Sequence, residues 1–184
     1  MKKVDPRVKR TNRLLIDALI ELVAEQGYDA VTVREIVKRA EVNRSTFYLH
    51  FRDKQDILNC MEDHILNELG ESVRNPTFTY ESALRNYEAS KTPIYSTIAL
   101  FKHVEKYATL YRKMLVERDF RARVTQVIRK EVLPLTPGDL EAAFASHGII
   151  GVILYWLEGG MKESVQEMSL WLTRFSLYPL RHFE

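Results

Sequence analysis

The chain has very little cysteine, a single residue at position 60 in 184. One cysteine excludes a disulfide within the chain and is typical of proteins from a reducing compartment. The N-terminus also lacks the apolar core of a secretory signal peptide. The longest apolar run, residues 148–157, has ten residues and ends at Glu158, which is too short to span a bilayer. These absences predict a cytoplasmic protein with no membrane partner.

The motifs that identify the common enzyme classes are absent too. The sequence has no glycine-rich phosphate or dinucleotide loop, no HExxH zinc motif and no paired cysteines. Cys60 and His64 are four residues apart in a helical segment, but one thiol and one imidazole make only half of a metal site. A buried cysteine is more often a small apolar residue than a ligand. We therefore predict that the chain is not an enzyme and has no metal site and no cofactor.

No segment alternates polar and apolar residues over the length of a strand, whereas apolar residues recur at helical spacing almost throughout. The sequence therefore predicts an all-α fold of about nine helices. Asp5-Pro6 predicts the start of the first helix and Gly27 its end. A fourth, long helix is expected from Lys54 to about Gly70. Residues 75–92 are expected to be a loop with about one turn of helix.

The last two predicted helices are unusually apolar. Asp139 is expected to cap the first, Gly159-Gly160 to end it, and Ser164 with Glu167 to form a capping box at the start of the second. Residues 148–154 (GIIGVIL) leave almost no polar face, and a helix that is apolar all round must be buried somewhere. Its partner is either the core of the same chain or a second copy, which the small glycines would allow to approach closely.

A segment near the N-terminus contains two short helical patterns separated by a tight turn. Thr32 and Glu35 form a capping box, and apolar residues then recur at helical spacing. Asn43 is a suitable N-cap for a second helix, which Phe47 and Phe51 can anchor inward. Two helices split by a short turn are typical of a helix-turn-helix, whose second helix enters the major groove. The alternative is a solvated helical pair with no DNA function.

The second of these helices carries groups that suit DNA. Arg44 can form two hydrogen bonds to guanine, and the hydroxyls of Ser45 and Thr46 can serve bases or phosphates. Tyr48 and His50 carry donors for phosphate oxygens. Lys54 carries another donor, at a helix start that attracts anions.

Charge is distributed unevenly along the chain. Residues 1–55 contain 12 Lys and Arg against 8 Asp and Glu, whereas the rest contains 15 against 17. A basic N-terminal part on a slightly acidic remainder is expected if only the former meets DNA. We therefore predict a DNA-binding domain at residues 1–55 and a regulatory and dimerisation domain at residues 56–184. The basic residues of the N-terminal arm form either a solvated tail or a DNA backbone contact: Lys2, Lys3, Arg7, Lys9, Arg10 and Arg13.

The segment from Thr32 to Leu58 resembles the DNA-binding domain of the TetR family of bacterial transcriptional regulators. The positions that carry the resemblance are Thr32, Val33, Ile36, Ala40, Val42, Thr46, Phe47, Tyr48, His50, Phe51, Lys54 and Leu58. The resemblance implies an N-terminal three-helix DNA-binding domain that binds a double-stranded operator, with Thr32 among its phosphate contacts. The full set of candidate DNA-binding residues is Thr32, Arg34, Asn43, Arg44, Ser45, Thr46, Tyr48, His50 and Lys54. The chain departs from the family pattern at Glu41 and Ser45, where glycine is usual.

The C-terminal sequence resembles a subgroup of the same family. The resemblance rests on Trp156-Leu157-Glu158-Gly159-Gly160 and on residues 164–168 (SVQEM). In the family the last two helices pair with their copies as a four-helix interface, which implies a homodimer. The candidate interface residues are Gly148, Gly151, Leu154, Trp156, Met168, Trp171 and Phe175.

The resemblance also implies a C-terminal helical domain that binds a ligand. A small apolar or aromatic effector would fit between aromatic and methionine side chains, although the same residues would equally form a plain core. The candidates are Met61, Phe101, Tyr107, Tyr111, Met114 and Tyr155. The expected function is a sequence-specific, ligand-responsive repressor that acts as a homodimer. The alternatives are an activator of the same family and a DNA-binding protein without an effector.

Overall fold

A computed structural model of the chain describes residues 5–178. Within that range it contains ten α-helices, one short 3₁₀ helix and no strand, which confirms the all-α prediction. The helices are α1 (Pro6–Gln26), α2 (Val33–Arg39), α3 (Arg44–His50), α4 (Lys54–Val73), α5 (Tyr80–Ser90), α6 (Tyr95–Lys106), α7 (Ala108–Met114), α8 (Arg118–Val132), α9 (Asp139–Glu158) and α10 (Val165–Leu177). The 3₁₀ helix is Leu133–Leu135. Lys2 and Lys3 of the predicted basic arm lie outside the described residues.

Local capping signals define most of the helix ends. Asp5 caps α1, as predicted. It precedes Pro6, the first helical residue, and its carboxylate accepts a hydrogen bond from the helix backbone. Both predicted capping boxes form, one at the start of α2 and one, from Ser164 and Glu167, at the start of α10. α9 differs slightly from its prediction, because its N-cap is Gly138 and Asp139 is already helical.

Residues 75–92 contain a full helix where the sequence predicted a loop. α5 begins after Thr79, whose hydroxyl caps its first turn. The Tyr80 hydroxyl donates to the Leu177 carbonyl at 2.6 Å, and Tyr87 is buried. α5 thus packs against the end of α10. This tertiary contact compensates for the few apolar residues that made the helix hard to recognise from its own sequence.

The chain packs into two units, one up to Ile65 and one from Leu66 onward. Residues 56–65, which include the buried Ile57, Met61 and Ile65, belong to the first unit, whereas the sequence predicts a domain boundary after residue 55. That unit consists of α1–α3 and the first half of α4. In the second unit the main packing pairs are α6 with α10 and α8 with α9.

The apolar helix α9 is longer than the ten-residue run suggested. Its 20 residues make it the one helix in the described range long and apolar enough, by length and composition, to cross a membrane. The core helix of a water-soluble protein meets the same criteria. One side of α9, including Ala142, Ile150 and Trp156, is buried in the second unit. The other side of the helix is exposed and carries apolar residues.

Candidate nucleic-acid interface

α2 and α3 are joined by a turn that requires a left-handed residue. The Val42 amide donates to the Val37 carbonyl at 3.0 Å, and the Glu41 amide donates to the Lys38 carbonyl at 3.3 Å. This pair of bonds is the Schellman motif, whose central residue is usually glycine. Here that residue is Glu41, with a φ of 55°. The turn therefore forms without its usual glycine, at a cost in backbone strain.

Glu41→Gly should stabilise the protein. A left-handed conformation costs an L-residue about 1–2 kcal/mol, and the greater freedom of glycine in the unfolded chain offsets part of the gain. We expect a net increase of about 0.5–1 kcal/mol in the free energy of unfolding, measured by urea denaturation. Glu41→Ala is the control, because it keeps the Cβ atom and its strain. Equal stability of the two variants would contradict the strain argument.

The aromatic side of α3 fixes which face of the helix points outward. Phe47 is fully buried and Phe51 nearly so, with ring centroids 5.7 Å apart, and the Tyr48 ring meets Phe47 edge-on at 5.3 Å. The opposite face is solvent-accessible. Its exposed residues are Arg44, Ser45, Tyr48 and Leu49, flanked by the half-buried Thr46 and His50. Leu49 is absent from the sequence-based candidates, since an apolar residue gave no signal of DNA contact.

Arg44 is held on the surface of α3. Its guanidinium carbon lies 5.7 Å from the centroid of the Tyr48 ring, and Nη2 lies 3.4 Å from the Tyr48 hydroxyl oxygen. Because both side chains are exposed, the remaining guanidinium donors are accessible to a base edge or a phosphate. Asn43 occupies the N-cap position, yet its side chain makes no capping hydrogen bond to α3 within the described residues. Its amide is exposed beside Arg44.

Thr32 has a capping role at the start of α2. Its hydroxyl donates to Glu35 Oε2 at 2.7 Å, and its amide donates to the same oxygen at 2.8 Å. The side-chain bond from Thr32 is the largest cause that lowers the pKa of Glu35, so the carboxylate stays ionised at neutral pH. Since Glu35 engages both donors, a phosphate contact from Thr32 would require the capping box to open. Arg34, in the first turn of α2, is exposed.

The ammonium group of Lys54 faces the α1–α2 turn. Nζ donates to the carbonyls of Tyr28 and Val31, both at 3.0 Å, and to that of Asp29 at 3.4 Å. It also lies 4.2 Å from the centroid of the Tyr28 ring. An ammonium has three donors, and these carbonyls account for all of them. The sequence predicts a DNA-backbone contact for Lys54, and in the structure its ammonium group holds the turn against the start of α4, so the two roles give different expectations for a Lys54 substitution.

Lys54→Met should lower stability while leaving the salt dependence of DNA binding unchanged. The substitution leaves carbonyls of the turn without their donor, which costs about 1–3 kcal/mol. If Lys54 neutralised a phosphate, the slope of log K against log salt would instead shrink by about 0.9. Thermal denaturation and a salt titration of DNA binding measure the two effects. Lys38→Met, at an exposed lysine of α2, is the matched control. A smaller slope at unchanged stability would contradict the role of Lys54 in holding the turn.

Another basic residue of this unit, Arg39, contacts acidic residues of α1. Its guanidinium bonds Glu25 through two nitrogens at 2.8 Å and Glu21 at 3.0 Å. The bond from Arg39 lowers the pKa of the Glu25 carboxyl. These bonds connect α2 to α1, so Arg39 stabilises the packing of the two helices.

The predicted dimer-interface residues separate into a surface group and a core group. Gly148, Gly151, Trp171 and Phe175 are exposed, and Leu154 is half-buried. Trp156 and Met168 are buried in the second unit. The Trp156 ring packs edge-on against Phe101 at 5.3 Å, and its Nε1 donates to the Glu163 carbonyl at 2.8 Å. Trp156 and Met168 therefore belong to the core rather than to the surface.

The exposed side of α9 carries large apolar residues that the sequence analysis assigned elsewhere or missed. Leu140 is 79% exposed and Phe144 is 72% exposed. Tyr155, predicted to line a ligand pocket, is also exposed. Spacings of three and four residues place them on one side of the helix, with two exposed glycines between them. We call this set the α9 stripe: Leu140, Phe144, Gly148, Gly151 and Tyr155.

The other predicted ligand residues are buried in two different units. Met61 lies in the first unit, whereas Phe101, Tyr107, Tyr111 and Met114 lie in the second. The core of the second unit includes a polar pair, Tyr111 and His103, whose hydroxyl and Nε2 are 2.9 Å apart. Burial raises the pKa of Tyr111, so its hydroxyl stays protonated. The Tyr107 hydroxyl donates to Glu68 at 2.8 Å.

Helices α1–α3, with a short turn between α2 and α3 and a polar outward face on α3, have the architecture of a helix-turn-helix domain. The sequence profile of the tetR family of bacterial regulatory proteins matches residues 15–61. A second profile, of a transcriptional regulator C-terminal region, matches residues 91–177. The chain belongs to the TetR family of transcriptional regulators. The members of this family that the chain resembles are transcriptional regulators.

Relatives and solved structures agree with this assignment. The HTH-type transcriptional regulator YxbF of Bacillus subtilis (strain 168) is 26% identical over 161 residues, which are 86% of this chain and 42% of that protein. The chain thus spans less than half of this relative. The fatty acid degradation regulator FadR of Bacillus halodurans is similar in fold, with a TM-score of 0.70 at 21% identity, over 98% of this chain and 100% of that one. FadR of Bacillus subtilis, solved in complex with stearoyl-CoA, has a TM-score of 0.59 at 19% identity, over 92% of this chain and 99% of that one.

Proposed function

We propose that the chain is a homodimeric repressor that binds a two-fold symmetric DNA operator and releases it when a small molecule binds. The observation that carries this proposal is the outward face of α3, which presents Arg44, Ser45 and Tyr48 on a helix anchored by buried phenylalanines. Arg44 and Ser45 lie in the first turn, the part of a recognition helix that contacts base edges. Tyr48 and His50 follow as phosphate contacts, and Arg34, Asn43 and Thr46 are further candidates for DNA contact. A cytoplasmic location follows from this role.

The homodimer is supported by the α9 stripe and by Trp171 and Phe175 of α10. Exposed tyrosine, leucine and two phenylalanines on consecutive helices form more apolar surface than a monomer usually leaves in water. Because a two-fold interface pairs a surface with its own copy, the glycines of the stripe would let two α9 helices approach closely. Light scattering tests this directly. The dimer has twice the chain mass of 21.5 kDa, and a mass of 21.5 kDa at micromolar concentration would contradict it.

An effector is supported by the chemistry of the second unit's core. The Tyr111–His103 pair supplies polar groups among the apolar side chains of Phe101 and Met114, the mixture that ligand sites use. A FadR of similar fold was solved with stearoyl-CoA, so a ligand with a long apolar part is the first probe. We propose a small apolar or aromatic effector at Phe101, Tyr107, Tyr111 and Met114.

Linkage gives the test of the effector. A ligand that weakens operator binding must bind less tightly, by the same factor, when operator is present, and such factors are typically about 5–150. Calorimetry with stearoyl-CoA, followed by shorter acyl and aromatic compounds, measures the ligand's affinity with and without operator. In vitro transcription from an operator-bearing promoter separates the two regulator types, since a repressor lowers transcript yield and an activator raises it.

A further inference from the structure

Leu49 is the most exposed large apolar residue of the chain's described part, with 84% of its surface accessible to solvent. At 3.6 residues per turn it points about 160° away from both Phe47 and Phe51, the residues that bury the inner side of α3. Leu49 therefore lies in the middle of the outward face. Ser45 precedes it by one turn on the same face.

The residues around Leu49 are polar and suited to DNA. Arg44 and Tyr48 lie on one flank of the outward face, and Thr46 and His50 lie on the other. A helix placed in the major groove with Tyr48 and His50, the proposed phosphate contacts, toward the two backbones directs the line between them at the base edges. The side chains on that line are Ser45 and Leu49. The position of Leu49 thus predicts contact with a base rather than with a phosphate.

A leucine side chain has no hydrogen-bonding group, which restricts the base that it can face. In the major groove guanine presents two acceptors, adenine an acceptor and an amino group, and cytosine an amino group, whereas thymine alone presents a methyl group. Covering a polar edge with leucine would remove its water without replacing the hydrogen bond. Covering the methyl group removes two apolar surfaces from water.

We infer that Leu49 contacts the C5-methyl group of a thymine in each operator half-site and so contributes to sequence preference. The inference rests on the proposed operator binding by α3. It concerns one position of the site and one base, so it can fail while operator binding stands.

The test removes the methyl group from the DNA and the side chain from the protein in turn. Operator is first selected from random duplex DNA with the unchanged chain, and each thymine is then replaced singly by deoxyuridine. We expect one thymine per half-site at which the replacement lowers affinity roughly fourfold, the size for one buried methyl group. In Leu49→Ala the same replacement should have no effect. Ser45→Ala is the control and should keep the fourfold loss.

Leu49→Ala removes an exposed side chain, so its melting temperature should equal that of the unchanged chain. If both proteins lose the same factor at every thymine, or if no replacement has an effect, the inference is overturned and operator binding stands. If selection enriches no sequence at all, the proposed function fails and this inference fails with it.

Discussion

Gly151→Glu should convert the dimer into monomers and lower operator affinity at least about a thousandfold. The substitution places a charge in the middle of the α9 stripe, where burial against a second copy would leave it unpaired. A monomer reaches only one half-site, and the gap between specific and non-specific binding is typically at least about a thousandfold. The folded monomer should tolerate the change, because a Cβ at this exposed glycine would meet no described atom within 4 Å. Trp171→Glu on α10 should act in the same way.

Light scattering and an electrophoretic mobility shift with selected operator measure the two effects together. Tyr95→Glu is the matched control, because Tyr95 is 75% exposed on α6 and lies outside the α9 stripe. That variant should remain dimeric and bind as the unchanged chain does. If Gly151→Glu stayed dimeric with full affinity, the dimer interface would have to lie elsewhere.

Arg44→Ala should weaken binding to the selected operator by about 1–3 kcal/mol and relax the preference at one base position. The reason is the loss of the paired hydrogen bonds that an arginine makes to guanine. Arg44 is exposed, so its removal should leave the melting temperature unchanged. Titration of the variant against selected and random duplexes gives the specificity ratio. An equal loss of affinity for both duplexes would mean that Arg44 contacts a phosphate rather than a base.

The N-terminal unit could be predicted well from sequence because its signals are local. Thr32 and Glu35 are three residues apart, and Phe47 and Phe51 are four apart, so each pair acts within one helical turn. Glu41, where the family pattern has glycine, has a positive φ in the structure. Lys54 could not be placed in this way. Its partners are carbonyls of a turn more than twenty residues earlier, which no local pattern connects to it.

The second unit was harder to predict because its helices are apolar on more than one side. In α9 the residues Tyr155 and Trp156 are adjacent in sequence, yet one is exposed and the other is buried. Because apolar residues occupy almost every position, their spacing alone does not show which side of this helix is buried. We predicted Trp156 at the interface and Tyr155 in a pocket, whereas in the structure Trp156 packs against Phe101 of α6 and Tyr155 is exposed.

Selection of binding sites from random duplex DNA with the full chain shows whether the protein reads DNA sequence as a symmetric dimer. We expect enrichment of one two-fold symmetric sequence, with half-site centres about one helical turn, or roughly 34–36 Å, apart. Affinity for that sequence should exceed affinity for random DNA at least about a thousandfold at physiological salt. Equal affinity for all sequences, or enrichment of a site without symmetry, would contradict a homodimeric operator-binding regulator.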